Sequence, residues 1–234
     1  MEKKYLIITG ASKGIGFATA KLFIENHWNV INISRSPCQL EQVINISADL
    51  ACSDVVSDIK KQIDSIIKSK VIICVVHNAA LYNQDTLQSL DIQKLREVLE
   101  ISLIFPLAIN QYLLEKMIVE SSIIYIGSTL SEKAIHGAAS YVISKHASIS
   151  MMRVTCQDLV KTGIHTACIC PGFTSTEMLT QHLQNKDDIE SIINKSCYGR
   201  FIEPLEIAKI VLFTANNPVV NGSVLHANLG QIEY

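Results

Sequence analysis

Thr9-Gly10-Ala11-Ser12-Lys13-Gly14-Ile15-Gly16 is the stretch on which the reading of this 234-residue chain turns. The apolar run 5–9 before it reads as a strand, and 15–26 after it as a helix. Three glycines permit a tight turn and a close approach of backbone to a ligand. The start of a helix offers unpaired N–H groups and a partial positive charge, which suits a phosphate. A glycine-rich turn can be merely a turn, and G-x-x-x-G-x-G is not the G-x-G-x-x-G fingerprint. Its position between strand and helix is what gives it weight. Gly10, Ser12, Lys13, Gly14, Ile15 and Gly16 are therefore the candidate pyrophosphate cradle.

Outward from this loop, short β-rich runs alternate with helical ones. Strands are expected at 29–34, 43–47, 71–76, 122–127, 164–169 and 223–227. Helices are expected at 53–69, 91–117, 141–161 and from Pro204 to Ala215. Apolar strands alternating with helices indicate a parallel sheet covered on both faces, a single doubly wound α/β (Rossmann-type) domain over 1–234. In such a fold ligands bind beyond the carboxyl ends of the strands, so functional residues should sit just after strands.

Composition limits the function classes. The chain is 48% hydrophobic and 18% charged, with formal charge −2 and a pI near 6.4. That balance gives no electrostatic grip on nucleic acid or an anionic membrane. No apolar stretch reaches the roughly 18 residues of a membrane span. The N-terminal run lacks the form of a signal peptide, so a soluble, cytoplasmic protein is expected. Seven cysteines at irregular spacing include no C-x-x-C pair and read as buried reduced thiols. Histidine spacing supports no metal site.

Two positions bear on the choice of dinucleotide. The end of the second strand reads Ile33-Ser34-Arg35-Ser36, where an NAD site usually carries an acid for the ribose hydroxyls. Arg35 and Lys13 could hold a 2′-phosphate, with Ser12 or Ser34 donating a hydrogen bond, and this favours NADP over NAD. Both cations could equally be ordinary solvated charges.

Tyr141 and Lys145, four apart on an expected helix, share a face. Phenols ionise near pH 10, so a tyrosine acting as a base near neutrality needs positive charge close by. An ammonium and an oxidised nicotinamide would supply it. Ser128, just after the strand at 122–127, could orient a substrate oxygen and stabilise charge on it.

With these residues in place the chain resembles the short-chain dehydrogenase/reductase family. The resemblance spans essentially the whole sequence. It rests on the glycine loop, Asp49-Leu50, Asn78-Ala79-Ala80, Ser128, Tyr141-x-x-x-Lys145 and Pro171-Gly172-x-x-x-Thr176, with 200–204 and 221–225 as closing elements. It implies hydride transfer between a nicotinamide and a ketone or secondary alcohol. Tyr141 would be the acid/base, Lys145 its partner and ribose ligand, and Ser128 the substrate-orienting group. Asp49 and Leu50 would meet the adenine, Asn78 and Ala79 the loop beside the cofactor, and Thr176 with Pro171-Gly172 the carboxamide.

The chain departs from the family in four places. Ser102 aligns with the asparagine of the family's proton relay, and Ala80 with a glycine. Asn228-Leu229-Gly230 stands for Asp-Gly-Gly, and the connection between the second and third strands is short. A segment at about 174–201, with Met178, Leu179, His182, Leu183, Ile189 and Tyr198, is expected to form a substrate lid, with Ile135, His136 and Gly137 also facing the substrate. Apolar residues on 91–117 and 141–161, among them Leu103, Phe105, Leu107, Ile149, Met151 and Met152, suggest a homodimer or homotetramer, or serve the sheet. Two alternatives remain open. One is a 3-oxoacyl thioester reductase docking an acidic carrier through Lys133, Lys186, Lys195 and Arg200. The other is a weakly catalytic, cofactor-binding regulator or scaffold.

Overall fold

The computed structural model describes residues 3–180 and 186–231. Its strands are β1 (Lys4–Thr9), β2 (Asn29–Ser34), β3 (Val43–Ser47), β4 (Ile72–His77), β5 (Ser122–Ile126), β6 (His165–Pro171) and β7 (Ser223–Ala227). They form one parallel sheet in the order β3-β2-β1-β4-β5-β6-β7. The order runs outward in both directions from the β1–β4 pair. The crevice beyond the carboxyl ends of those two strands is therefore the switch point where a doubly wound sheet binds its ligand.

Strand residues alternate between two cores because successive side chains leave a strand on opposite faces. Tyr5, Ile7, Ile31, Ile73, Val75 and Ile123 pack on one face. There they meet α2 (Val55–Ile66), α4 (Phe105–Leu113) and α5 (Ala139–Asp158) through Ile59, Ile63, Phe105, Ile109, Ile149 and Met152. Leu6, Ile8, Val30, Cys74, Val76 and Ile124 pack on the other, against Phe23 of α1 (Gly14–Glu25) and Ile207 and Val211 of α8 (Pro204–Asn216).

The continuous helix expected over 91–117 is instead three pieces. α3 (Ile92–Leu99) passes through a π-helical turn, Glu100–Ile104, into α4. Pro106 explains the break, since it has no N–H to give to the carbonyl four residues back and a widened turn accommodates it. Of the apolar residues that suggested an interface, Phe105, Ile149, Met151 and Met152 are buried in the sheet-facing core, while Leu107 is 40% exposed.

The short β2–β3 connection is held by polar side chains rather than a helix. Asn45 Oδ1 accepts from the Cys38 N–H at 2.8 Å, and Asn45 Nδ2 donates to the Cys38 carbonyl at 3.1 Å. Buried Asn32 donates to Asn45 Oδ1 at 2.8 Å and accepts the Ala11 N–H at 2.9 Å, which ties β2 to the glycine loop.

Beneath the end of β4 runs a buried polar chain. His77 Nε2 donates to Asn110 Oδ1 at 2.8 Å, and Asn110 Nδ2 donates to the Tyr125 hydroxyl at 3.0 Å. Burial pushes the His77 imidazole down to about 4 from an ordinary 6.5. Between those values the unfolded chain binds the proton and the fold does not, so stability is lost as pH falls through that window. We expect the urea-unfolding free energy to drop by about 3 kcal/mol from this group between pH 7 and 4. A His77→Asn variant should show a correspondingly shallower slope; equal slopes would contradict the assignment.

Candidate active site

Three loops meet at the switch point. The first, between β1 and α1, turns at Gly10 and Gly14, whose φ angles of 73° and 57° are unfavourable for any other residue type. At Gly16 the constraint is contact: a Cβ there would lie 2.2 Å from the Gly10 carbonyl oxygen and 2.7 Å from Asn78 Nδ2. The second loop follows β4 and fastens the first. Asn78 Nδ2 donates to the carbonyls of Thr9 at 2.9 Å and Gly10 at 3.0 Å. Thr9 Oγ1 accepts the N–H groups of Asn78 and Ala79 in return.

The third loop leads from β5 towards α5, which carries Tyr141 and Lys145. Ser128 lies two residues after the end of β5. Its Oγ accepts the Leu130 N–H at 3.1 Å, and its own N–H goes to Ser131 Oγ at 3.0 Å, so a short 3₁₀ turn (Thr129–Ser131) fixes the side chain. Gly127 before it has no room for a side chain, because a Cβ would sit 2.9 Å from the sulfurs of both Cys168 and Cys170. Lys145, 4% exposed, donates from Nζ to the Ile126 carbonyl at 2.7 Å and lies 5.4 Å from the centre of the Tyr141 ring. A buried ammonium held by a neutral carbonyl keeps its positive field available to the phenol beside it.

A cleft of about 360 Å³ joins these parts. Its walls include Gly10, Ser12, Lys13, Gly14 and Ile15 of the glycine loop, Ser34 and Arg35 after β2, and Asp49 and Leu50 after β3. Asn78 and Ala79, Tyr141 and Lys145, and Thr176 also line it. A cleft that runs past the glycine loop, with Arg35, Asp49 and Leu50 among its residues as well as Tyr141 and Lys145, fits an extended dinucleotide.

Of the other expected residues, Gly16, Ser102, Ser128, Pro171 and Gly172 are not on this wall. Gly16 acts through packing. Gly172 packs against the tail of β7, where a Cβ would meet Asn228 Cα at 2.9 Å. Pro171 ends β6. Ser102 is buried in the π-helical turn, its Oγ without a partner, while Ile101 beside it lines the cleft. Ser34 Oγ is engaged by Ser36 O and Asn32, and Asp49 Oδ1 accepts the Ala51 N–H. Of the expected lid, α6 (Glu177–Thr180) and α7 (Lys186–Ile193) are described, whereas His182, Leu183 and the side chain of Lys186 lie outside the described residues. Ile135 and His136 are exposed. Arg200 pairs through both terminal nitrogens with Glu206, which holds that carboxyl down at about 2.

Three contributors were not anticipated. Lys13 Nζ donates to Glu177 Oε2 across the mouth of the cleft, so that cation is already partnered. The Tyr82 ring meets the Tyr141 ring edge-on at 5.2 Å. Buried Asp85 accepts the Ser140 N–H at 3.0 Å, capping α5 one residue before Tyr141. Two backbone bonds, Asp85 N–H to Gly137 and Ala139 N–H to Asp85, reinforce the junction. Asp85 lies well past the Asn78-Ala79 turn, and nothing local in the sequence pairs it with Ser140. Among the described residues no helix is long and apolar enough to cross a membrane, and no cluster of three or more metal-ligating side chains occurs.

Comparison with known proteins gives a consistent result. The family model described as Enoyl-(Acyl carrier protein) reductase matches residues 10–231. Carbonyl reductase family member 4 of Xenopus laevis is 32% identical over 234 residues, covering 95% of this chain and 95% of its own. The 3-oxoacyl-(acyl-carrier-protein) reductase FabG of Rickettsia prowazekii is 29% identical over 238 residues, covering 98% of this chain and 97% of its own. The crystal structure of a short chain dehydrogenase family protein from Francisella tularensis superposes with a TM-score of 0.87 at 24% identity, covering 98% of each chain.

The cap on α5 is testable without an assay of activity. Asp85→Ala should lower the urea-unfolding free energy by about 1–2 kcal/mol, the cost of losing a helix cap. Asp85→Asn keeps an oxygen for the Ser140 N–H and should lose less. Equal losses in the two variants would show that the acceptor is not what matters.

Proposed function

We propose, since the chain belongs to the short-chain dehydrogenase/reductase family, that it is an NADP-dependent oxidoreductase interconverting a ketone and a secondary alcohol. The observation that carries this reading is that Tyr141 and Lys145 line the same cleft as the glycine loop. The nicotinamide, when bound, supplies the hydride in reduction and accepts it in oxidation. Ser128, with its Oγ fixed at the end of β5, binds the substrate oxygen and orients the carbonyl carbon. Tyr141 gives its proton to that oxygen in reduction and takes it back in oxidation. Lys145 stabilises the phenolate left behind.

Several assignments follow from the same reading. Gly10, Ser12, Gly14, Ile15 and Gly16 form the pyrophosphate cradle at the start of α1. Arg35 binds the 2′-phosphate, as supported by its place on the cleft wall, its exposure, and the lack of an acid at the end of β2. Asp49 and Leu50 flank the adenine, and Thr176 with Pro171-Gly172 holds the carboxamide. Ser102 takes the relay position; its buried, unpartnered hydroxyl in the widened turn supports that role. Of the expected lid, Thr176, Glu177 and Met178 border the cleft and would face the substrate. Apolar side chains left on the surface of α4 and α5, Leu107, Ile143 and Val154, support self-association through those helices.

A 3-oxoacyl thioester is the second substrate reading, favoured by the likeness to the carrier-protein reductase of Rickettsia prowazekii. The pairing of Arg200 with Glu206 weakens it, because that cation is already neutralised at the surface where an acidic carrier would dock.

The cofactor assignment is tested by titrating NADPH and NADH into wild type and Arg35→Ala, following nicotinamide fluorescence. Arg35→Ala should weaken NADPH about tenfold, as expected for loss of a charge-assisted bond to phosphate, and leave NADH unchanged. Tighter binding of NADH by the wild type would reverse the cofactor preference while leaving the oxidoreductase reading standing.

A further inference from the structure

We infer that Glu177 tunes cofactor choice by competing with the adenosine 2′-phosphate for Lys13; the inference rests on the NADP reading above. Lys13 sits inside the glycine loop and Glu177 opens α6, 164 positions further along the chain, yet their side chains are paired. Both line the cleft that also holds Ser34 and Arg35. A neighbouring contact holds the two segments together as well. The Thr176 methyl lies 3.2 Å from where a Gly14 Cβ would stand, so the start of α6 is laid directly across the loop.

The two cations of the cleft wall are thus in different states. Arg35 makes no hydrogen bond or ion pair among the described residues, whereas Lys13 already has a carboxylate. A 2′-phosphate held by both would gain the full field of Arg35 but only the residual field of Lys13. It must displace Glu177 or tolerate a like charge beside it. A cofactor whose adenosine carries only hydroxyls brings no such anion and leaves the Lys13–Glu177 pair intact. Glu177 therefore lowers affinity for NADPH selectively. It also makes the start of the proposed lid respond to the 2′-phosphate, since taking Lys13 away unties α6 from the loop.

Both side chains are more than half exposed, at 55% and 60%, so the effect is modest and salt-sensitive. The test is nicotinamide fluorescence titration at low ionic strength of wild type, Glu177→Gln, Lys13→Ala and the double variant, with NADPH and NADH separately. Glu177→Gln should tighten NADPH about threefold, the scale of an exposed ion pair, and leave NADH unchanged. In the Lys13→Ala background the same substitution should change neither, which a double-mutant cycle reads directly. An equal gain for both cofactors would mean that Lys13 serves the pyrophosphate and would overturn the inference. So would a gain that persists without Lys13. Tight NADPH binding by the wild type with no response to Glu177→Gln would overturn it while leaving the proposed function intact. Binding of neither cofactor by the wild type would overturn the function and the inference together.

Discussion

Gly16 has no side chain because the Gly10 carbonyl occupies the space one would need, and the rest of the site depends on that closeness. Packing α1 this tightly against the end of β1 brings the helix N-terminus to the crevice. Asn78 then locks the arrangement by donating to the two carbonyls that the turn leaves facing outward. The same β4 loop runs on through Tyr82 to Asp85, which holds the first turn of α5 and with it Tyr141. One continuous segment, 78–85, therefore links the glycine loop to the tyrosine. Each link is a hydrogen bond to backbone or a ring contact, so little can shift at one end without being felt at the other.

The central strands β1, β4, β5 and β6 were legible in the sequence because a parallel sheet buries both their faces, so they read as largely apolar runs. β2, β3 and β7 begin and end where their patterns do. The residues after those strands were legible for the same reason: in a doubly wound sheet a strand end is a location in space. Ser128 and Arg35 could be placed from that rule, and Asn78 from the resemblance to the family. The break between α3 and α4 was half visible. Pro106 marked it, but the apolar periodicity runs straight through a π-helical turn and masks it.

What could not be read is pairing over long sequence distance. The partner of Lys13 is Glu177, 164 positions along the chain, where no local pattern could point to it. Asp85 and Ser140 are 55 positions apart and meet only once β4 and β5 are neighbours. The excess of apolar residues on α4 and α5 carried two meanings that periodicity could not separate, and most of those side chains went to the sheet. The closing segment shows a cost of departing from the family pattern. Leu229 stands where glycine is usual and takes a φ of 53°, a left-handed conformation costing roughly 1 kcal/mol or more for a side chain.

On the proposed function, Tyr141 moves the proton while the glycine loop and its neighbours hold the cofactor, so chemistry and binding are separable. The most direct measurement is a comparison of wild type and Tyr141→Phe, reading NADPH affinity by fluorescence and NADPH consumption with a panel of ketones. The account predicts unchanged affinity and a fall in turnover of about a hundredfold or more, the usual contribution of a positioned acid/base group. Full turnover in Tyr141→Phe with a ketone that the wild type reduces would contradict it.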